Sequence, residues 1–219
     1  MAIQKFDQLN SMSSKWFSKM NVSEAEQKKR VKLSLDYCEI IILLLMMIEG
    51  SKSIEKSKAF AEERLKAVAE KYVGKNNIAY INDWSKKEAE KIVDVTIKHI
   101  DEEHGPDDFY EMPELGIRLP ESEYWISEER GLLIGIECAT TTANFDDMSK
   151  AVDKGKTRKT WITEADDRVR KTHDEVHGVE MPINQPFLVG NSYLLFPGDL
   201  TYDPEEKEVA NCRCHAEYF

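Results

Sequence analysis

Cysteine is sparse in this chain, with four residues in 219, too few for a secreted domain that relies on disulfides in place of a core. Met1-Ala2-Ile3-Gln4-Lys5 opens no signal-peptide pattern, so a reducing, intracellular origin is expected. Long apolar runs are also missing. The longest, residues 40–48, is nine residues, about half of the roughly 20 needed to span a bilayer, and reads as a buried helix segment. Glycine is not clustered: there is no Gly-rich phosphate loop and no Gly-x-Ser-x-Gly elbow, and no His-Glu-x-x-His either. Basic charge is short, with 30 Lys and Arg against 41 Asp and Glu and a net charge of -11. That balance argues against duplex binding, which rests on neutralising phosphates.

What is present is enough to fold: 41% hydrophobic and 9% aromatic residues over 219 positions fit one ordinary domain or two small ones. Charge is uneven. Residues 1–100 hold 18 Lys and Arg against 14 Asp and Glu, whereas residues 101–219 hold 12 against 27. Eleven acids fall between 101 and 129, with Arg118 alone opposing them and Pro106, Pro113 and Pro120 interrupting. Such a stretch reads as a solvated linker, placed at 105–126.

Ser23-Glu24-Ala25-Glu26 is a capping box that starts a helix. Two apolar stripes, Val31-Leu35-Cys38-Ile42-Leu45 and Leu33-Tyr37-Ile40-Leu44-Met47, make that helix apolar all round as it nears Gly50. Self-association through residues 23–49 is therefore expected. Further helices fit residues 53–73, stopped by Gly74, and residues 85–100, completing a helical region at 1–104. Residues 127–154 read as another helix, ended by Gly155, with Gly131 and Gly135 permitting close approach of a neighbour. A short helix is expected at 164–177, capped by Thr163 and stopped by Gly178. Its apolar stripe is Ile162, Ala165, Val169 and Val176, beside a polar stripe of Asp166, Arg170, His173 and His177. Short β-like runs follow at 187–189, 193–196 and 209–214. The predicted class is α+β, with an N-terminal helical unit followed by a small C-terminal domain, 127–219, of helices packed on a short antiparallel sheet.

Two Cys and two His invite a zinc reading: His173 and His177 lie four apart on the expected helix, and Cys212 and Cys214, or His215, would complete a tetrahedron. The alternative is that Cys-x-Cys on a strand places two half-buried small hydrophobes on one face. Arg213 would point opposite to the thiols, as a surface charge or an ion-pair partner. A third reading takes His173 as acid/base and Arg170 and Arg213 as phosphate contacts of a nuclease-like enzyme acting on nucleic acid.

Lys159-Thr160-Trp161-Ile162-Thr163, Asp167-Arg168-Val169-Arg170 with Thr172-His173, Gly178, Pro186-Phe187, Leu195-Phe196-Pro197-Gly198-Asp199 and Asn211-Cys212-Arg213-Cys214 fit one known pattern in order and spacing. Residues 127–219 thereby resemble the phage Mu F-like minor head protein family, also called the phage head morphogenesis family. The resemblance implies a minor structural protein of a tailed-phage head, associated with portal and capsid proteins, carried into the prohead and acting in capsid assembly. It also implies a role near DNA packaging or ejection, so DNA is a further partner. The location implied is the virion, in the head interior or near the portal, with the host cytoplasm occupied during assembly. Trp161, Asp167, Arg170, His173, Gly178, Asn211, Cys212, Arg213 and Cys214 carry over as a structural motif, whereas His177 stands where the pattern usually has no His. The module also occurs at one end of longer phage proteins fused to toxin domains, which implies a docking element and no catalytic residue. No cofactor is expected on this reading, zinc being the alternative the thiols leave open.

Overall fold

The computed structural model describes residues 2–51, 53–74, 77–105, 107–113, 115–164 and 166–219, with the side chains of residues 2–4 left aside. Four helices form the first half: α1 (Ala2–Phe17), α2 (Glu24–Ser51), α3 (Ile54–Val73) and α4 (Ile78–Ile100). Helix α1 and the first two turns of α4 carry no strong sequence signal and were not expected. The Ser23 cap forms as read, with Ser23 Oγ accepting from Glu26 N at 3.2 Å. The Glu26 carboxylate accepts from Arg30 Nε at 2.9 Å. Gly74, at φ +87°, closes α3 by donating its N–H to Glu70 O.

Helix α2 runs through the centre of the bundle, packed by α1, α3, α4 and above all by α6 (Glu128–Asp153). Most of its apolar surface is covered within the chain, with Leu33, Tyr37, Ile41, Leu44, Leu45 and Ile48 buried, while Leu43 and Met46 face outward at 51% and 62% exposure. The two helices touch at backbone distance because α6 presents glycine to α2. A Cβ on Gly135 would lie 2.5 Å from Ser34 O and 2.9 Å from Cys38 N.

The acidic stretch expected to be a linker is folded instead. Strands β1 (Phe109–Met112) and β2 (Ile117–Pro120) pair as an antiparallel hairpin, and the short helix α5 (Glu121–Tyr124) leads into α6. Met112, Leu115, Ile117 and Tyr124 are buried, and Tyr110 stacks on Tyr124 with ring centroids 3.6 Å apart. These apolar residues, spaced between the acids, pin the segment to the helical core while the carboxylates stay in water.

The chain is α+β, with 59% of it helical and 12% in small antiparallel sheets. The C-terminal sheet is built on β3 (Arg158–Ile162), flanked by β4 (Glu180–Pro182) and β7 (His215–Tyr218), both antiparallel, with Trp161 opposite Ala216. A separate hairpin joins β5 (Phe187–Val189) to β6 (Ser192–Leu194) through a two-residue Gly190-Asn191 turn, Gly190 at φ +58°. Two segments depart from expectation. The helix placed at 164–177 is only α7 (Lys171–Asp174), and the strand placed at 209–214 is the helical turn α8 (Glu206–Val209) followed by a loop. Asp166 competes with helix formation by accepting from Arg168 N at 3.2 Å. Asn211, at φ +52°, turns the chain in a way no strand allows. Ala165, part of the expected apolar stripe, lies outside the described residues. Among the described residues no helix is long and apolar enough to cross a membrane.

Candidate functional site: a buried histidine and thiol cluster

Trp161 is fully buried on β3 and sets the floor of the small domain. Its indole meets the Phe187 ring edge-on at 5.3 Å and the His173 imidazole edge-on at 5.5 Å. His173, at the third position of α7, is 1% exposed. Its Nδ1 stands 3.4 Å from Cys214 Sγ and 3.7 Å from Cys212 Sγ. Two separate segments therefore bring one imidazole and two thiols to one point, three of the four ligands that the zinc reading named. The thiols reach it by another route than the expected strand: the left-handed turn at Asn211 lets both side chains, 3% and 4% exposed, face inward.

On the other side of the ring, His173 Nε2 lies 3.3 Å from Glu208 Oε2, off the line of a good hydrogen bond. Glu208 is 1% exposed and held in place: Thr172 Oγ1 donates to its Oε2 at 2.7 Å, and Gly190 passes so close that a Cβ there would come within 2.7 Å of Oε1. Glu208 was missed by sequence reasoning because it ends the run Glu205-Glu206-Lys207-Glu208, which looks like solvated surface. Contact with the Cys214 thiol, reinforced by the His173 imidazole, holds the Cys212 thiol well below its usual range. The same contact together with burial pushes Cys214 up.

Other proposed site residues fall outside this cluster. His177 is exposed, and its Nδ1 accepts from Thr163 N at 3.1 Å. His215 sits on β7 opposite Ile162, where burial and then the Arg30 charge lower its pKa to about 4 and keep it neutral. Neither belongs to the set of ligand-type atoms that His173, Cys212 and Cys214 make. Asp167 is exposed on the loop before α7.

The two arginines of the motif are engaged. Arg213 is 7% exposed and forks onto Asp166, with both N–O distances 2.7 Å. That bidentate pair keeps the Asp166 carboxyl below its usual range. Arg170 Nη2 donates to Ala210 O, tying the start of α7 to the turn before Asn211. Between these groups lies a cavity of about 20 Å³, lined by Glu164, Arg170, His173, Asn211, Arg213 and Cys214 among others. Its volume matches roughly one water molecule. Glu164 Oε2 accepts from Asn21 N at 2.6 Å, while its Oε1 is buried without a hydrogen-bond partner. Burial raises the Glu164 pKa to about 7.

The remaining motif residues join this knot to the helices. Asn144 of α6 donates through Nδ2 to Pro197 O at 2.9 Å and to Cys214 O at 3.1 Å, and its Oδ1 accepts from the fully buried Arg30 at 3.0 Å. Phe196 enters the helical core beside Tyr80 and Phe145. Gly198 presses against Thr141, whose Oγ1 donates to Gly198 O at 3.1 Å. Asp199 caps the turn by accepting from Leu195 N at 2.8 Å and Thr201 N at 3.0 Å. Lys159, fully buried, donates to Leu195 O at 2.6 Å and Ile183 O at 2.9 Å, and burial lowers its pKa to about 8.

No family model, no curated protein and no solved structure matches this chain.

Proposed function

We propose that this chain is a minor structural protein of a tailed-phage head, docking with portal and capsid proteins during assembly and acting without catalysis of its own. The observation that carries the reading is the convergence of motif residues. Trp161, Arg170, His173 and the segment from Asn211 to Cys214, spread over more than fifty positions, close on one buried centre. Phe196 and Gly198 seal the same unit onto α6, on a turn that Asp199 caps. Residues that hold a fold together by mutual packing need to occur as a set, and that is how the sequence pattern presents them.

The nuclease-like alternative asks for different geometry. Arg213 would have to leave Asp166, and Arg170 would have to leave Ala210 O, before either met a phosphate. The space beside His173 takes roughly one water, far less than a nucleotide. The net charge of -11 opposes the approach of a polyanion as well. On this proposal the chain resides in the head interior or near the portal, and DNA is met only through the assembled particle.

The test is co-expression with the portal and shell proteins encoded in neighbouring reading frames. The chain is expected to co-purify with portal or with sedimenting shells. A folded chain that stays wholly soluble beside assembled shells, or that hydrolyses DNA or RNA with loss of that activity in His173→Ala, would overturn the proposal.

A further inference from the structure

Two thiols pointing at one ring nitrogen pose a chemical question. A single Nδ1 has one lone pair, or one proton, for two sulfurs that stand 3.4 and 3.7 Å from it and are also in contact with each other. A metal ion satisfies all three at once. Tetrahedral zinc with Zn–S near 2.3 Å and Zn–N near 2.0 to 2.1 Å separates nitrogen and sulfur ligands by roughly 3.6 Å, which is the spacing found. The three ligand atoms lie within 4.8 Å of one another, and all three residues are buried.

The surroundings match what such an ion requires. Metal-bound imidazoles generally donate their second N–H to a carboxylate, which fixes the ring and strengthens the donor. Glu208 Oε2 stands 3.3 Å from Nε2, anchored by Thr172, so a small rotation of the ring would bring its N–H onto that carboxylate. The fourth tetrahedral direction has somewhere to go. The cavity of about 20 Å³ is lined by His173 and Cys214, though not by Cys212, and also by Asn211 and by Glu164, whose Oε1 is buried without a hydrogen-bond partner. One water fits there, with polar groups to meet it.

We propose that His173 Nδ1, Cys212 Sγ and Cys214 Sγ bind one zinc ion, with Glu208 as the carboxylate behind His173 and a water held by the Glu164 and Asn211 cavity as fourth ligand. Both thiols bind as thiolates, and the two protons leave to solvent on loading. The ion pins α7 to the 211–214 loop, adding to the Arg170 to Ala210 and Thr172 to Glu208 bonds that tie the flanking residues. The inference is independent of the head-protein proposal, because the cluster would hold its ion whatever surface the module docks on.

The experiment uses the full chain, purified without chelator and without an immobilised-metal column. Elemental analysis is expected to give about one equivalent of zinc per chain, and a chelator should lower the unfolding midpoint. Cobalt replacement of the wild-type chain is expected to give thiolate-to-cobalt charge-transfer absorption in the near ultraviolet and tetrahedral visible bands. Glu208→Gln should keep the ion but weaken its affinity by about 10- to 100-fold, a change a merely structural glutamate would not make. Cys212→Ser should lose it. The proposal is overturned by less than about one-tenth equivalent of zinc even after incubation with zinc, by a Cys212–Cys214 disulfide in the isolated protein, or by a full equivalent retained in Cys212→Ser. Because cobalt absorption is read on the wild type, a variant that fails to fold does not shield the proposal.

Discussion

Alanine at position 135 should unfold this protein more easily than alanine at position 131, although both replace a glycine on the same face of α6. Glycine inside a helix costs about 1 kcal/mol relative to alanine, so each substitution begins with that gain. At Gly131 the new methyl would meet Ile42 Cγ1 at 2.9 Å, an atom of a side chain stiff at χ1, while the nearest backbone atom, Ile42 N, is at 3.6 Å. At Gly135 it would meet Ser34 O at 2.5 Å, Cys38 N at 2.9 Å and Cys38 Cα at 3.1 Å, all backbone. Ordinary contact begins near 3.4 Å, so α2 would have to retreat by much of an ångström. It is held against doing so by the Ser13–Ser34 hydroxyl contact at 2.6 Å and the Tyr37–Thr142 contact at 2.8 Å. Overpacking of this kind costs typically 1 to 3 kcal/mol and more where backbone must move. The net expectation for Gly135→Ala is a loss of about 2 kcal/mol, or roughly 4 to 8 °C in melting temperature for a chain of this size. Gly131→Ala should cost less, about 1 kcal/mol or below, because a side chain rather than backbone has to shift and helix propensity offsets part of the clash. Denaturant unfolding followed by circular dichroism reads both. Equal or greater stability for Gly135→Ala would refute the claim that α2 and α6 meet at backbone distance.

Trp161→Ala removes a ring that is fully buried and should cost about 3 to 5 kcal/mol, seen as a lowered denaturation midpoint with early loss of the C-terminal sheet by hydrogen exchange. Lys159 is held to a pKa of about 8 by burial, below its unfolded value near 10.4. Between those values the native state has released its proton and the unfolded state has not, so stability rises with pH across the window. The wild-type minus Lys159→Met difference in unfolding free energy should therefore grow by on the order of 2 kcal/mol from about pH 7.5 to about pH 10, and a flat difference would contradict the burial argument. Arg213→Lys breaks the fork onto Asp166 and should destabilise by about 1 kcal/mol, discounted because the Asp166 side chain is 36% exposed. If Arg213 served phosphate instead, that variant would lose nucleic-acid binding with stability unchanged.

Long periodic elements were legible in the sequence. Helices α2, α3 and α6 begin and end within a residue or two of their Ser23, Gly74, Ser127 and Gly155 signals, because caps and stops act locally. What the sequence hid was set by distant partners. Residues 164–177 carry a helical pattern, yet Asp166 is claimed by Arg213 and Glu164 by Asn21, contacts 47 and 143 residues apart in sequence. The acidic segment 101–129 looked solvated by composition, but its few apolar residues suffice to fold a hairpin onto the core. The apolar pattern of α2 did not reveal that four helices of the same chain pack against it, leaving Leu43 and Met46 outward. At the candidate site, the meeting of His173, Cys212 and Cys214 was legible, and the left-handed turn at Asn211 that achieves it was not. Glu208 and Arg30 were illegible, since a buried charge has the same letter as an exposed one.

The account rests most on the proposal that this chain is a component of a phage head, and quantitative mass spectrometry of particles purified from cells carrying the encoding genome tests it directly. The chain should be present in nuclease-treated, gradient-purified particles at a few copies per portal. Its absence from such particles, with the folded chain abundant in the same lysate, would contradict the account.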